Sequence, residues 1–565
     1  METVSNPIAA RVLAVRPVGT MAVLAELAGL HDVLALQALL LEHPFPGQVD
    51  VLAAAETVLV RADSPQSARR IAARLPELDL AVQAQAEGKL VQIDTVYDGE
   101  DLAEVGRLTG LGVEGVVAAH TGQVWTVAFG GFAPGFGYMV GENESLEVPR
   151  RSSPRTAVPA GSVALAGNYS AVYPRQSPGG WQLIGRTAAR MWDLGREQPA
   201  LAAPGDRVQF RAVRELVEVT APASPAESVA DAGVQSGLRI LAPGLQSLVQ
   251  DLGRHGHGGL GVSVAGALDR SSLRRANRIV GNQPSAAVVE TVAGGLRVQA
   301  VGDQVLTVTG APVVLTVGPP PDVPGTATAD DDTAEDDGGR SGPVRHVPMA
   351  TAFALFDGDV LTLGVPERGF RTYLAVRGGV DTEPVLGSRS TDTMSGIGPA
   401  PLAGGGFIRA GKATSSNVVG NPEVQPDFPG TGVTVLDIVP GPRDDWFDAA
   451  ALESLCSQDW TVTPRSNRVG MRLDGKPLER SRNGELASEG TVAGALQIPP
   501  EGQPVLFLAD HPITGGYPVA AVVVDHQLDL AAQVPIGGRI RFRWAPGYPL
   551  PANSSQTSPD ATQTK

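Results

Sequence analysis

GSVA at residues 161–164, followed by GGW at 179–181, is a pattern that returns near the other end of the chain. There it reads GTVA at 490–493 and GGY at 515–517, and Pro-containing turns separate the two parts in both places. Self-similarity of this kind indicates a repeated structural unit, although Gly-rich turns also coincide by chance. We therefore expect two β-barrels of related design, one in each half of the chain.

The composition supports a β-rich chain of several domains. A shorter echo, in which a β run leads into Pro-Gly, links residues 132–135 with residues 438–441. The chain contains 68 Gly and 46 Pro in 565 residues, and such a density in a non-repetitive sequence indicates many turns between short strands. Chains of this length divide into about three to five domains. The expected fold class is mainly β with an α/β N-terminal domain.

Shifts in composition predict six parts. β-like runs alternate with helix-like segments near the N-terminus, whereas later regions consist of short Val, Ile and Phe-rich strands broken by Gly and Pro. The parts are a small α/β domain at 1–95; a barrel at 96–219; a linker at 220–237; a second barrel at 238–427 with a Pro-rich, then acidic insert at 318–343; a third barrel at 428–548; and a tail at 549–565 that should be disordered.

Charge and cysteine content exclude several classes of function. The net charge of −16 repels phosphate backbones and anionic lipids, so nucleic acid and membranes are poor partners. Cys456 is the only cysteine, which rules out an intramolecular disulfide and suits a reducing compartment. No run reaches the roughly 18 apolar residues that a membrane span needs, and no signal peptide is apparent. We expect a cytoplasmic protein.

Two Gly-rich segments of the first half could bring backbone amides close to a ligand. They read VPAGSV at 158–163 and SPGGWQLIGRT at 177–187. Glycine permits positive φ and exposes amide donors, while Ser162, Gln182 and Arg186 add polar side chains. These three residues are candidate substrate contacts. The competing interpretation is a set of tight β-turns without a ligand.

The second half offers a comparable set around QDLGR at 250–254. Asp251 and Arg254 are candidate catalytic groups, because Arg presents a planar donor fork to a carboxylate or amide; alternatively they form a structural salt bridge. Asp269 and Asn282 are candidate substrate contacts, although Asp269 also suits the N-cap of a helix over residues 271–279.

RSTD at 389–392 and DHPITGGYP at 510–518 complete the candidate site. Their catalytic candidates are Asp392, Asp510 and His511, since a carboxylate beside an imidazole orients a general base. Adjacent strand residues face opposite sides, so Asp510 and His511 cooperate only in a turn; a lone surface histidine is the alternative. The candidate substrate contacts here are Arg389, Thr514 and Tyr517.

Several common sites have no counterpart in the sequence. There is no phosphate-binding GxxxxGK[ST] loop, no HExxH metal motif and no GxSxG nucleophile turn. Only His255 and His257 lie close together, which is too little for a zinc site. We predict no metal, and a conventional serine hydrolase is disfavoured.

The motifs in both halves resemble one known family. VYDGEDL at 96–102, GFAPGFGY at 131–138 and the two Gly-rich segments at 158–187 resemble allophanate hydrolase subunit 1, also called the B subunit of 5-oxoprolinase. The second-half motifs, together with SNRVG at 466–470, resemble allophanate hydrolase subunit 2, or the C subunit of 5-oxoprolinase. The resemblance spans nearly the whole chain apart from the linker, insert and tail.

This resemblance implies cyclophilin-like barrels, one in the first half and a related pair in the second. It implies the B and C component of an ATP-dependent 5-oxoprolinase, which opens 5-oxo-L-proline to L-glutamate together with a separate A subunit. Arg254, Asn282 and Arg389 would then hold anionic groups of the small amide or lactam substrate, and Asp251, Asp392 or Asp510 would polarise it or transfer protons.

Two other functions share the same scaffold. The first is a biotin-dependent carboxyltransferase component acting on urea or a related amide, as in allophanate and urea amidolyase systems; the biotin would come from a partner protein, since the chain has no biotin-attachment sequence. The second is a non-catalytic regulator of a histidine kinase. The sequence leaves homo-oligomer formation open.

Overall fold

The structure is a computed structural model that describes residues 11–80, 88–216, 236–319, 343–413, 417–482, 484 and 486–548. Most of the expected linker, nearly all of the expected acidic insert and the expected tail lie outside the described residues. Within the described part of the chain, no helix is both long and apolar enough to cross a bilayer.

The N-terminal unit is an antiparallel sheet with two helices. The strands are ordered β1-β2-β4-β3, and α2 is capped by Ser64 and begins with a proline, which is favoured at a first helical position. Its elements are β1 (Ala14–Val18), β2 (Ala22–Glu26), α1 (Leu30–Glu42), β3 (Gln48–Ala53), β4 (Thr57–Ala62), α2 (Pro65–Arg74) and a 3₁₀ turn at Leu75–Glu77.

Both faces of this sheet are buried, as its sequence pattern requires. Successive side chains of a strand point to opposite faces. On β4, Val58 and Val60 join the helices in one apolar core. Leu59, between them, packs in a second core with residues of the last barrel. The sheet is therefore a layer between its own helices and the far end of the chain.

The first barrel occupies residues 90–212. Its elements are β5 (Leu90–Thr95), α3 (Leu102–Thr109), α4 (Gly112–Thr121), β6 (Trp125–Gly130), β7 (Gly137–Val140), a 3₁₀ turn at Glu144–Leu146, β8 (Arg155–Val158), β9 (Ser162–Ala166), β10 (Tyr169–Val172), β11 (Ser177–Gly179), β12 (Gln182–Arg186) and β13 (Arg207–Ala212). The sheet order is β12-β9-β10-β7-β6-β13-β5, and a bridge between Val96 and Arg186 joins its two edges. Because β5 pairs with β13, the barrel begins before the expected boundary at residue 96.

The middle unit consists of two antiparallel sheets around one apolar core. Their orders are β20-β19-β22-β17-β14-β24 and β15-β16-β23-β18-β21, and α5 packs on β18 and β23. The elements are β14 (Gly237–Pro243), β15 (Gln246–Gln250), a 3₁₀ turn at Gly258–Leu260, α5 (Arg270–Val280), β16 (Val288–Val292), β17 (Leu296–Val301), β18 (Gln304–Gly310), β19 (Leu315–Gly318), β20 (Arg345–Val347), β21 (Phe353–Leu355), β22 (Val360–Leu363), β23 (Arg371–Val376) and β24 (Phe407–Arg409).

The last unit is a closed barrel ordered β25-β32-β29-β30-β27-β26-β33. The elements are β25 (Val433–Pro440), a 3₁₀ turn at Asp444–Trp446, α6 (Ala449–Ser457), β26 (Trp460–Val462), β27 (Gly470–Asp474), β28 (Glu489–Gly490), β29 (Ala495–Gln497), β30 (Val505–Phe507), β31 (Thr514–Gly515), β32 (Val519–Val523), a 3₁₀ turn at Asp525–Gln527, α7 (Leu528–Ala532) and β33 (Arg539–Trp544). The expected fold class, mainly β with barrels in both halves, is confirmed.

The first and last barrels have the same topology. If the seven barrel strands are numbered in the order in which they occur in the chain, their order around the barrel is first, sixth, fourth, fifth, third, second, seventh in both barrels. The first and seventh strands pair in parallel in both. Each barrel also carries a two-stranded ribbon, β8 with β11 and β28 with β31, at matching places in the chain.

The longer sequence echo follows this topology. GSVA runs into the fourth strand of the first barrel, GTVA leads to the fourth strand of the last barrel, and GGW and GGY precede the sixth. The shorter Pro-Gly echo was coincidental, because residues 134–135 follow the second strand of the first barrel, whereas residues 440–441 lie at the end of the first strand of the last barrel. The expected kinship of the middle unit with the last barrel stays a prediction.

Candidate functional site

A cleft of about 270 Å³ lies where both halves of the chain meet. Its walls come from the turn between β1 and β2, the end of β4, the segment between β15 and α5, the first turns of α5, and the last barrel. The apolar part of the wall includes Val18, Val264, Leu268, Val492 and Phe507. Neither half of the chain forms this cleft alone.

Arg61 enters the cleft from β4. It shares the sheet face of Leu59, two residues earlier, and that face meets the last barrel. The cross-strand neighbour Asp50 accepts a hydrogen bond from the backbone N–H of Val51 at 3.0 Å. Arg61 is half-buried and forms no ion pair within 4.0 Å with any residue that the structure describes. Burial lowers its pKa, but a guanidinium remains charged at neutral pH.

Two further arginines come from α5. Arg270 and Arg274 are one helical turn apart and so share a face of the helix, and both line the cleft. Arg270 pairs with Asp525 at 3.2 Å and with Asp529 at 3.7 Å. Arg274 is exposed and has no ion pair among the described residues.

Asp269 fixes the start of this helix. Its Oδ1 accepts a hydrogen bond from the Ser272 backbone N–H at 2.8 Å, and its Oδ2 accepts from the Ser272 hydroxyl and from Gln533, both at 2.7 Å. The capping interpretation is therefore confirmed, and the helix spans Arg270–Val280. Burial, helped by Asp529, raises the pKa of Asp269 to about 6. Both carboxylate oxygens are occupied within the protein, so Asp269 orients α5.

His255 and His511 complete the polar lining. The His511 ring stacks on Phe507 with centroids 5.6 Å apart, and its Nδ1 lies 2.8 Å from the Pro512 carbonyl. Burial lowers the pKa of His511 to about 4, and burial together with Arg61 lowers that of His255. Both imidazoles are thus mainly neutral near pH 7, and the positive charge of the cleft comes from its arginines.

The expected Asp510–His511 pair is wrong, and His511 is not a surface residue either, since it is 7 % exposed. Arg468 donates to Asp510 from Nε at 3.1 Å and from Nη2 at 2.9 Å, and the Thr393 hydroxyl donates at 2.7 Å. Arg468 also donates to Glu290 at 2.5 Å. Burial lowers the pKa of Arg468, but the two carboxylates outweigh it and raise that pKa. Asp510 therefore links the middle unit to the last barrel.

The carboxylate of Asp251 is likewise fully engaged in hydrogen bonds within the protein. Its carboxylate accepts from the hydroxyls of Ser388 at 2.7 Å and Ser390 at 2.5 Å. It also accepts from the backbone N–H groups of Arg389 at 2.6 Å and Gly253 at 2.8 Å. This arrangement holds the segment around residue 253 against the loop at 388–390. The alternative interpretation, a salt bridge between Asp251 and Arg254, is wrong, because their charged atoms do not lie within 4.0 Å of each other.

Arg254 and Asp392 are buried and do not line the cleft. Arg254 is 2 % exposed and donates from Nη2 to the Ser390 carbonyl, while its Nε and Nη1 find no hydrogen-bond partner in the described part of the chain. Burial lowers the pKa of Arg254, and Asp392 is the strongest opposing charge. Asp392 accepts from the Ser263 hydroxyl at 2.8 Å and from the Met394 backbone N–H at 2.9 Å.

The three candidates of the first half lie on the first barrel. Ser162 and Arg186 are cross-strand partners on β9 and β12. Arg186 donates to Asp98 at 2.8 Å on the exposed surface, and Gln182 donates to the Pro149 carbonyl at 3.1 Å. None of them lines the cleft. All three residues lie on strands β9 and β12, and their role as substrate contacts stays a prediction.

The remaining candidates are also distributed around the second half. Asn282 donates to and accepts from backbone atoms at residues 376 and 378, both at 2.8 Å. Arg389 donates to a backbone carbonyl at residue 382 at 2.7 Å. Thr514 is buried in β31, and Tyr517 is 45 % exposed, with Arg480 5.7 Å from its ring centroid. The structure does not bring these four residues together in the cleft.

Sequence reasoning missed the arginines of the cleft. Arg270 and Arg274 follow the GALD motif directly, so a capped helix that starts with arginines was a usable signal. Arg61 gave no such signal, because its position becomes meaningful only once the outer face of the N-terminal sheet is known to meet the last barrel.

Comparison with known proteins identifies the family. A family model described as carboxyltransferase domain, subdomain A and B, matches residues 260–544, and one described as subdomain C and D matches residues 13–202. The chain is 36 % identical over 308 residues to the C subunit of 5-oxoprolinase from Escherichia coli K12, covering 54 % of this chain and 90 % of that protein. It is 43 % identical over 136 residues to the B subunit of 5-oxoprolinase from Escherichia coli O157:H7, covering 24 % of this chain and 62 % of that protein.

A more distant relative and a solved structure extend the comparison. Urea amidolyase of Lachancea kluyveri is 28 % identical over 329 residues, which are 54 % of this chain and 16 % of that protein. The crystal structure of TTHA0988 superposes with a TM-score of 0.77 at 32 % identity and covers 93 % of this chain and all of that chain. This chain therefore belongs to the carboxyltransferase-domain family, and it fuses a part similar to the B subunit of 5-oxoprolinase with a part similar to the C subunit.

Proposed function

We propose that this chain is the fused B and C component of an ATP-dependent 5-oxoprolinase. In that reaction 5-oxo-L-proline, ATP and two water molecules give L-glutamate, ADP and phosphate, and the chain would act with a separate A subunit. The observation that carries the proposal is the presence of parts similar to both the B and the C subunits in one chain, each at more than a third identity.

The cleft supports a small acid as the ligand. Its volume of about 270 Å³ lies just below the roughly 300–1,000 Å³ of pockets that hold drug-sized molecules. A five-membered lactam acid is well within this size. No step is assigned to ATP in the cleft.

The test is a coupled assay of the purified chain with the A subunit encoded by its host. We expect glutamate to form from 5-oxoproline only when both proteins and ATP are present. Each protein alone, and the mixture without ATP, are the controls. Failure of the folded mixture to form glutamate would refute the proposal.

The similarity to urea amidolyase favours a second candidate, a carboxyltransferase component that acts on urea or a related amide. This function needs a biotinylated carrier protein from elsewhere. Carboxyl transfer from a carboxylated biotin carrier to urea, measured with the same purified chain, distinguishes the two candidates. Activity in this assay and none with 5-oxoproline would favour the carboxyltransferase.

A further inference from the structure

Two of the three arginines that line the cleft form no ion pair within 4.0 Å in the described part of the chain. Among the residues that line the cleft, Arg61, Arg270 and Arg274 are cationic, and Asp525 is the carboxylate. Asp525 already pairs with Arg270. Arg61 and Arg274 therefore reach the cleft without an ion-pair partner from the described part of the chain.

This group of three arginines stands out in a chain with a net charge of −16. Half-burying a guanidinium without a partner costs free energy, and proteins rarely keep such a group unless a ligand or solvent compensates. Arg61 could have formed an ion pair with its cross-strand neighbour Asp50, but that carboxylate turns to the Val51 backbone N–H. The Arg61 guanidinium therefore has no ion-pair partner within 4.0 Å in the described part of the chain, and the charges of Asp50 and Asp525 act on it from farther away.

We propose that Arg61 and Arg274, with Arg270 beside them, bind the carboxylate of the small acid that enters the cleft. A planar guanidinium matches a carboxylate through two parallel hydrogen bonds. The hydrocarbon part of the acid would rest on the apolar wall around Val264 and Phe507. The identity of the acid as 5-oxoproline rests on the proposed function, whereas the arginine site does not.

The position of the arginines makes the site dependent on both halves. Arg61 belongs to the N-terminal sheet, and Arg270 and Arg274 belong to α5. A carboxylate held by Arg61 and Arg274 would therefore bridge the two fused parts of the chain. This placement gives a physical reason for a cleft that is assembled from both of them.

The experiment is calorimetric titration of the purified full-length chain with 5-oxoproline, with 2-pyrrolidinone and with inorganic phosphate. 2-Pyrrolidinone has the same lactam ring without the carboxylate. The variants are R61Q, R61K and R274Q. The matched control is R278Q. It removes an arginine from the same helix, and the partner of this arginine, Glu423, lies outside the cleft. Thermal unfolding of each variant establishes that it is folded.

We expect 5-oxoproline to bind and 2-pyrrolidinone not to bind. R61Q and R274Q should each weaken binding at least about tenfold, R61K should retain part of it, and R278Q should match the parent chain. Equal binding of the lactam with and without its carboxylate, or variants that bind like the parent, would overturn the proposal. Arginine-dependent binding of phosphate without binding of the acid would overturn the assignment to a carboxylate.

The calorimetric titration tests the arginine site, and the coupled assay tests the enzyme assignment, so a failure of one can be told apart from a failure of the other. Arginine-dependent binding of the acid without glutamate formation in the coupled assay would leave the site standing and remove the enzyme assignment. Glutamate formation whose KM for 5-oxoproline is unchanged in R61Q and R274Q would leave the enzyme assignment standing and remove the site.

Discussion

Asp510 illustrates how burial decides the role of a polar residue. The carboxylate has 0 % exposure and accepts hydrogen bonds from Arg468 and Thr393, and Arg468 in turn binds Glu290. A general base needs a free lone pair within reach of its substrate. Asp510 has its oxygens committed to the junction between the middle unit and the last barrel, so its contribution is to stability.

Replacing Asp510 with alanine should therefore destabilise the fold. The change leaves the buried Arg468 guanidinium without its main partner, and breaking a buried ion pair from one side costs about 3–5 kcal/mol. Denaturant unfolding of D510A measures this loss. D459A removes a carboxylate that pairs with Arg539 and Arg541 at the surface and should cost at most about 1 kcal/mol. Equal losses in the two variants would contradict this account.

His120 should make stability depend on pH. The imidazole is fully buried. The Tyr97 hydroxyl lies 2.7 Å from its Nδ1, and the Ser170 hydroxyl lies 2.8 Å from its Nε2. Burial lowers its folded-state pKa from 6.5 to about 3. At a pH between these two pKa values, His120 binds a proton in the unfolded chain but not in the folded chain. The free energy of unfolding therefore falls as pH falls, by up to about 1.4 kcal/mol per pH unit.

The measurement is the free energy of unfolding at about pH 7 and about pH 5. H120Q should be less stable than the parent at pH 7 because it loses hydrogen bonds, but its stability should fall less between the two pH values. H31Q removes an exposed imidazole, 72 % accessible at its side chain, and should keep the parental slope. An unchanged slope in H120Q would show that His120 does not carry the effect.

At the level of elements, the outer face of the N-terminal sheet meets the last barrel through close packing. A Cβ on Gly490 would lie 2.6 Å from the Cβ of Leu59. G490A should therefore force the β28 ribbon away from β4 and destabilise the chain by about 1–3 kcal/mol. Thermal unfolding checks this. At Gly432 a Cβ meets nothing within 4 Å, so G432A should be neutral; equal shifts in both would contradict the packing argument.

Element patterns in the sequence predicted the repeated barrel but not the position of the site. GSVA and GTVA lie at the start of equivalent strands, because GSVA runs into β9 and GTVA leads to β29 at the same step of one topology. The Asp510–His511 neighbourhood failed as a site prediction because adjacent residues diverged, one into the Arg468 network and one toward Phe507. Arg61 could not be found, since periodicity gives the face of a strand but not what covers that face.

At the scale of the whole molecule, the two halves should depend on each other. The first half presents an apolar face that includes Val18, Leu24, Leu52 and Leu59, all buried against the last barrel. Arg443 of the second half adds ion pairs to Glu26 of the first half, at 2.5 Å, and to Glu489. Large apolar faces of this kind are seldom left exposed by soluble proteins.

Separating the chain within residues 217–235 should therefore give two fragments that associate. Co-expressed fragments 1–216 and 236–565 should co-purify by size-exclusion chromatography, and fragment 1–216 alone should aggregate or yield little folded protein. L59D should weaken this association, because it places a charge in the apolar contact. Two fragments that are folded, monomeric and non-interacting would contradict the account of the interface.

The central claim is that a fused B and C component binds its acid in the cleft between the halves. The most direct test is ATP-dependent glutamate formation from 5-oxoproline by the full-length chain with its A subunit, compared among the parent, R61Q, R274Q and R278Q. The account predicts activity that needs both proteins, with kcat/KM reduced at least about tenfold in R61Q and R274Q and unchanged in R278Q. No glutamate from the folded mixture, or equal kcat/KM in all four proteins, would contradict it.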